Sequence, residues 1–367
     1  MKENKKQIIL LGLNSFFTDI SSEMVLPLFP VFLTTYLGAS SFILGVVEGL
    51  AELSSKILPF FSGKISDKVK NWKLLAFIGY AISNLVKPLL YFANTILFAS
   101  LIRIIDRIGK GIRTTPRDLL ISEFGKKKEG SFFGLHKMFD KLGAIMGAVI
   151  SLLLIYFLKL NIRFLFLISF IPGVIALIIL TFLKRPKVMY RKIKTKKNKT
   201  RISKLLIFLF GLITISYGLF YAHYINEKEK IIFAPLAYLI MNFGGASVIF
   251  IGKIFDKMKE KTFFKYLLYF YSFIFLLFSL LPPKLITFLL LIFIYGIVYN
   301  SLQLFVIASI AKSSKLEKGK QIGFTYLILG ISSLIGNSLF GFLVSRIGFS
   351  FATISFSLIT LFTTFFI

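Results

Sequence analysis

The sequence predicts an all-α membrane protein of twelve transmembrane helices, arranged as two pseudo-symmetric six-helix bundles. Three observations predict it. Long apolar runs alternate with short charged clusters, basic residues crowd into alternate connections, and one segment occurs twice, beginning at Gly63 and again at Gly252. The 367 residues are 56% hydrophobic and 17% charged. A soluble domain would carry about a quarter charged residues. A run of about 20 apolar residues spans the hydrocarbon core, and only helices or closed barrels satisfy their backbone there. The strict alternation of a barrel strand is absent, and runs such as LITFLLLIFIYGIVY read as helices.

The spans fall near 8–35, 41–62, 74–93, 95–114, 131–158, 162–183, 204–225, 231–251, 263–281, 285–311, 320–345 and 348–367. Apolar sequence continues past Asp19 without a small-residue cleavage site, so the first span reads as a retained helix. Connections on the side of the N-terminus hold 32 Lys and Arg, and the opposite connections hold 6. Basic residues are retained on the cytoplasmic side, so both termini are expected there, in a multi-pass protein of a bacterial cytoplasmic (inner) membrane. This segregation accounts for the net charge of +29 without a nucleic-acid partner. The expected domains are an N-terminal bundle over 1–183, a basic linker over 184–203 that touches anionic headgroups, and a C-terminal bundle over 204–367. The absence of cysteine excludes disulfides and thiolate metal sites. No metal-ligand spacing, nucleophile arrangement or soluble catalytic domain is present, so neither an enzyme nor a resident cofactor is expected.

The repeated segments, GKISDKVKNWK and GKIFDKMKEK, each lie between the second and third span of their half. Here the chain resembles the major facilitator superfamily, whose corresponding loop reads roughly G-x-L-x-D-R-x-G-R-K. Gly63, Ile65, Asp67 and Lys68 match, as do Gly252, Ile254, Asp256 and Lys257. The resemblance implies the major facilitator fold and a cytoplasmic latch that involves Asp67 and Asp256. The fourth span, RIIDRIGKGIRTTPRD, is similar to the family's R-x-x-Q-G-x-G segment at Arg103 and Gly109, with Asp106 and Arg107 replacing Gln and the first Gly. It looks like a bacterial branch that carries D-R-x-G-K-G-x-R-x-x-P-R-D. Gly143 and Gly147 of the fifth span partly match a family antiporter segment, with Ala148 where that pattern has proline. The pair also suits close helix packing.

Thirteen charges fall inside predicted spans, all in the first half: Asp19, Glu23, Glu48, Glu52, Asp106 and Asp140 against Lys56, Lys87, Arg103, Arg107, Lys110, Lys137 and Lys141. Ionisable groups at bilayer depth are costly and point to function. Asp19 and Glu23 share a helix face, as do Glu48, Glu52 and Lys56. Asp19, Glu23, Glu48, Glu52 and Arg103 fall nearest mid-bilayer and are expected to bind protons and substrate. Asp106, Arg107, Lys110, Arg113, Lys137, Asp140 and Lys141 lie toward the cytoplasm and are expected to gate it. The second half offers Tyr217, Asn242, Asn300, Gln303 and Asn337 as an uncharged cavity wall.

These residues imply alternating access between two bundles. The expected function is proton-coupled export, by antiport, of a small amphipathic or cationic molecule. The alternative is cation-coupled uptake of a small polar or anionic solute, held by Arg103 and nearby lysines. Divalent-metal efflux and a non-transporting scaffold are lesser alternatives. The expected partners are the small-molecule substrate and the lipid bilayer, with a proton or other cation as coupling ion and a monomer as the working unit.

Overall fold

The computed structural model describes residues 2–69, 71–124, 129–185, 204–225, 228–246, 251, 258–282, 284–313 and 318–367. Among these, nine helices are long and apolar enough to cross a membrane. Two further helices, Ser41–Val69 and Ile96–Phe124, have 29 residues each. They have the length to span but carry charges spread along them. The shorter apolar helix within Lys230–Gly245 completes twelve.

In chain order, α1 runs Lys2–Val25 and continues through Phe29–Val31 and a π-helical turn at Phe32–Tyr36. Next come α2 (Ser41–Val69), α3 (Trp72–Val86, ending in a 3-10 turn at Lys87–Phe92), α4 (Ile96–Phe124), α5 (Glu129–Leu158) and α6 (Ile162–Ile168 with Phe170–Thr181). The second half holds α7 in two pieces, α7a (Lys204–Ile213) and α7b (Tyr217–Tyr224), then α8 (Phe233–Ala246), α9 (Glu260–Leu280), α10 (Leu285–Ser313), α11 (Lys318–Ile347) and α12 (Phe349–Thr363).

Three boundaries differ from the sequence-based expectation. The segment beginning at Gly63 is not a loop, because α2 runs on to Val69. It lacks a breaker, and basic residues in a last turn favour the helix dipole. The next helix is capped by Asn71, its side chain accepting from the Leu74 N–H at 3.3 Å. Likewise α4 continues ten residues past the expected 114, through Pro116. The span expected over 204–225 is broken at Thr214–Ser216.

The chain divides into two compact units, Met1–Leu33 with Ser54–Lys192, and Thr34–Leu53 with Ile193–Ile367. The stretch Thr34–Leu53 thus groups with the second unit, although the linker-based division places it in the first. Glycines account for this grouping. A Cβ on Gly49 of α2 would meet Leu334 Cα of α11 at 2.8 Å, and Gly45 and Gly341 abut the backbones of Asn337 and Ser41.

In the first unit, α1 packs on α5 and α6, and α3 packs on α4 and α6. In the second, α7 packs on α11, α8 on α10, and α9 on α12. The α1–α5 pair is matched by α7–α11, and α3–α6 by α9–α12, as a duplicated bundle requires. A close backbone approach repeats as well. Gly143 and Gly147 of α5 lie against the Phe16 and Ile20 carbonyls of α1, as Gly336 of α11 lies against the Leu212 carbonyl of α7a. One core of the first unit gathers Ile8, Leu11, Ala76, Tyr80, Leu120 and Leu180. Large apolar side chains such as Leu97, Phe157, Ile171, Phe182, Ile286 and Phe365 are exposed. A soluble monomer rarely exposes so much apolar surface, which is the normal outer face of a membrane bundle.

Candidate functional site

The charged face of the first unit is built on α4. Arg103, Arg107, Lys110, Arg113 and Arg117 recur every three or four residues and share one helical face. Asp106 lies on that face and is 6% exposed. It accepts a hydrogen bond from Ser83 Oγ at 2.6 Å and pairs with Arg107 at 3.5 Å and Arg103 at 3.8 Å. Arg103 also lies over the Phe29 ring, 5.5 Å from its centroid. Arg113, 5% exposed, stacks its guanidinium over Tyr80 at 4.5 Å, and Arg117 pairs with Asp118 at 2.8 Å. Such close contact between α3 and α4 depends on Gly79 and Gly109. A Cβ on Gly79 would meet the Arg113 nitrogen at 2.6 Å, and one on Gly109 the Ser83 nitrogen at 2.7 Å. Gly109 of the family-like segment therefore works by making room.

α1 presents a buried polar stripe of Asn14, Thr18 and Ser21, of which Asn14 donates to the Ala176 carbonyl of α6 at 2.8 Å and Thr18 accepts from Asn84 of α3 at 3.3 Å, beside half-buried Asp19 and Glu23. Asp19 interacts electrostatically with Asp140, Glu23, Arg113 and Lys110. Lys141 of α5 acts on Glu23, Asp19 and Asp140. Among the described residues, Glu23 Oε2, Arg107 Nε and Arg113 Nη1 are buried without a hydrogen-bond partner. Buried polar atoms of this kind call for a partner, a water or a function. Asp19 of the expected mid-bilayer set thus interacts with Lys110, Arg113 and Asp140 of the expected cytoplasmic set.

His136, 3% exposed, joins three helices. Its Nε2 lies 2.9 Å from Ser15 Oγ of α1, which is 3.0 Å from the Tyr80 hydroxyl of α3. Its Nδ1 lies 3.4 Å from Asp140 Oδ1, and Lys137 pairs with the other oxygen of Asp140 at 3.6 Å. Lys87, one of the charges expected inside the spans, is 2% exposed. It donates to Ser22 Oγ at 2.8 Å and Asn84 Oδ1 at 3.1 Å.

In the second unit the polar residues assemble on the break in α7. Asn337 of α11, 2% exposed, accepts from the Ser216 N–H at 2.6 Å and donates to the Thr214 carbonyl at 3.4 Å and the Ser333 carbonyl at 2.7 Å. Tyr295 donates to the Ile215 carbonyl and takes a bond from Tyr271 at 3.2 Å. Ser216 caps α7b by accepting from the Gly218 N–H at 3.3 Å, and its hydroxyl donates to Glu48 Oε2 at 3.3 Å. Irregular backbone at membrane depth is tolerated only where protein or a cavity satisfies it.

The expected cluster is thus divided between the units. Asp19, Glu23 and Arg103 belong to the first, and Glu48 and Glu52 to the second. Of the expected wall, Asn337 sits at the α7 break. Tyr217 packs its ring against Tyr221 and Tyr238 at 5.1 and 5.6 Å. Asn242 and Asn300 donate back to their own helices, at the Tyr238 and Gly296 carbonyls. Asp256 and the side chains of Asp67 and Gln303 lie outside the described residues.

Twelve spans, a duplicated bundle, buried charge and a broken helix define a polytopic membrane transporter rather than an enzyme. Residues 11–314 match the Major Facilitator Superfamily, and the chain belongs to that family. It is 34% identical to an uncharacterized MFS-type transporter of Methanocaldococcus jannaschii, over 93% of this chain and 89% of that one. It is 31% identical to the multidrug resistance protein MdtH of Proteus mirabilis, over 36% of this chain and 34% of that protein. Among solved structures, a mutant of the nucleoside transporter NupG superposes with TM-score 0.81 at 13% identity, covering 98% of both chains. The peptide transporter POT superposes with TM-score 0.77 at 12% identity, covering 98% of this chain and 93% of that one. At these identities the likeness is one of fold.

Proposed function

We propose that the protein is a proton-coupled secondary transporter that moves a small molecule by alternating access, with Asp19 and Glu23 as its proton-binding groups. One observation carries this reading. Two carboxylates one turn apart on α1 face a basic helix, and one of them keeps a buried oxygen without a hydrogen bond. Ionisable side chains at membrane depth are costly and point to function.

Export of an amphipathic or cationic molecule in exchange for protons draws support from the partial antiporter segment at Gly143 and Gly147 and from the similarity to a multidrug resistance protein. Uptake of a small polar or anionic solute is the second reading. It is favoured by α4, where five bases (Arg103, Arg107, Lys110, Arg113 and Arg117) stand against three acids, Asp106, Asp118 and Glu123. The location proposed is the cytoplasmic membrane, with both termini inside and a monomer as the working unit.

The test is proton movement in proteoliposomes. A pH-sensitive dye is trapped inside, and cationic, anionic and neutral compounds are added outside to wild type and Asp19→Asn. Compound-dependent proton flux in wild type alone is the expected result, and the active compound names the cargo. Compound accumulation without proton flux would overturn proton coupling. Unchanged flux in Asp19→Asn would remove Asp19 from the path.

A further inference from the structure

A chain of four polar side chains crosses the first unit, from Tyr80 of α3 through Ser15 of α1 to His136 and Asp140 of α5. The Tyr80 hydroxyl lies 3.0 Å from Ser15 Oγ, Ser15 Oγ lies 2.9 Å from His136 Nε2, and His136 Nδ1 lies 3.4 Å from Asp140 Oδ1. Tyr80, Ser15 and His136 are all buried. At one end the Arg113 guanidinium covers the Tyr80 ring at 4.5 Å. At the other, Asp140 Oδ2 pairs with Lys137 at 3.6 Å, and the Lys137 side chain is 70% exposed. The chain thus joins the buried basic face of α4 to the surface of α5.

Hydrogen-bond chemistry gives the chain a direction. A carboxylate only accepts, so Asp140 favours the ring hydrogen at Nδ1, and the partner of one ring nitrogen decides where the hydrogen sits. Nε2 then presents its lone pair and accepts from the Ser15 hydroxyl, whose oxygen accepts from Tyr80. A proton at Nε2 reverses this order. Nε2–H donates to Ser15, and the Ser15 hydroxyl turns to the Tyr80 oxygen. Hydroxyls both donate and accept, so the same contacts serve either order. The charged groups facing His136 are Asp140 and Lys137 of its own helix and Arg113 and Arg117 of α4. From α1, Asp19 acts on Asp140. From α6, the only ionisable side chain is Arg163, which donates to the Tyr91 carbonyl at 2.8 Å.

We propose that His136 binds and releases a proton through Ser15 and Tyr80, as a site separate from Asp19 and Glu23. The step balances as one proton. Water gives a proton to the Tyr80 oxygen, Tyr80 gives its own hydrogen to Ser15 Oγ, and Ser15 gives its own to the Nε2 lone pair. Each oxygen loses one O–H bond and gains one, and the ring gains one N–H bond. The imidazolium so formed faces Asp140, which positions the ring by holding Nδ1–H. Release retraces the path. Proton binding at His136 stands on the geometry of the chain; only its use in transport rests on the proton-coupled reading above.

The sequence holds two histidines, His136 and His223, so His223→Gln leaves a single imidazole to observe. The test is nitrogen NMR of that full-length protein, isotopically labelled at histidine and purified in detergent, through a pH series. On the alkaline side Nδ1 alone is expected to carry a hydrogen. Toward acid both ring nitrogens are expected to carry one while the protein stays folded. A ring that stays neutral until the protein unfolds, or that carries its single hydrogen at Nε2, would overturn the proposal. If His223→Gln does not fold, the difference between wild type and His136→Gln gives the same spectrum. In the proteoliposome assay Ser15→Ala, which cuts the path, is expected to lose proton flux. Ser15→Thr, which keeps a hydroxyl, is expected to retain it. Full flux in Ser15→Ala would overturn the role of the chain and leave that of Asp19 standing. Failure of wild type to couple protons would overturn the reading above, and the spectra would still decide for His136.

Discussion

Ser216 and Glu48 are joined by a hydrogen bond of 3.3 Å, the hydroxyl donating to the carboxylate, where α7 breaks. The same hydroxyl accepts from the Gly218 N–H. Ser216 thus transmits the position of Glu48, 6% exposed, to the first turn of α7b. A carboxylate is also the favoured partner of a helix N-terminus. Replacing Glu48 with Leu is expected to destabilise the protein by about 1–3 kcal/mol through the stranded donor. Glu48→Gln keeps an acceptor and is expected to cost less. Thermal unfolding of the purified variants in detergent checks both. Equal stability of the leucine variant and wild type would show that the bond does not hold α7b.

Asn337 holds the other side of the break, because one side chain serves a backbone N–H at 216 and a backbone carbonyl at 214. Asn337→Leu keeps the branching of the side chain and leaves both groups buried and unpaired, at about 1–3 kcal/mol for each stranded group. Asn337→Asp still accepts from Ser216 but cannot donate, so it is expected to fall between wild type and the leucine variant. The same unfolding assay orders the three. A leucine variant as stable as wild type would mean that Tyr295 alone satisfies the break.

The fold was legible because its signals are long. Apolar runs, basic clusters and a duplicated segment each draw on many residues, and a few errors do not change the outcome. Even α2 and α4, too charged to pass as membrane helices on composition, were placed by the runs on either side. The break at Thr214–Ser216 was not legible. Thr and Ser occur in ordinary helices, and what opens this one is a set of partners from elsewhere in the chain, Asn337, Tyr295 and Glu48. Lys87 has no acid three or four residues away on its own helix, and its partners Ser22 and Asn84 become visible only in the fold. The segment at Gly63 was read as a loop from its family likeness, although nothing in its residues stops a helix. Asp19 and Glu23 are legible as a pair from their own helix, and the link from Asp19 to Asp140, 121 residues later, needs the tertiary structure.

Asp106 carries the charge balance of α4, so its removal tests whether the basic face depends on it. Asp106→Asn keeps shape but leaves Arg103 and Arg107 without their shared carboxylate. Breaking a buried ion pair from one side costs about 3–5 kcal/mol. A low yield of folded protein in the membrane is expected. Arg107→Gln should recover part of the loss when combined with it, since the double variant no longer buries that uncompensated cation. The comparison of wild type, both single variants and the double variant gives the coupling directly. Strict additivity would show that Asp106 and Arg107 are neighbours without an energetic link.

Gly147 sets how closely α5 approaches α1, and through α1 where Asp19 and Glu23 sit. A Cβ at 147 would meet the Ile20 carbonyl at 2.6 Å and Glu23 Cβ at 3.1 Å. The backbone atom cannot turn aside as a side chain could, so α5 has to move. Overpacking of this kind costs about 1–3 kcal/mol. Gly147→Ala is expected to lower thermal stability by an amount in that range, and Gly147→Val by more. Gly134, with no atom near its Cβ position, supplies the control on the same helix. There, Gly134→Ala is expected to stabilise slightly, because alanine is the better helix former by up to about 1 kcal/mol. A Gly147→Ala protein as stable as Gly134→Ala would mean that the α1–α5 contact yields without strain, and that the glycine does not fix the depth of the carboxylates.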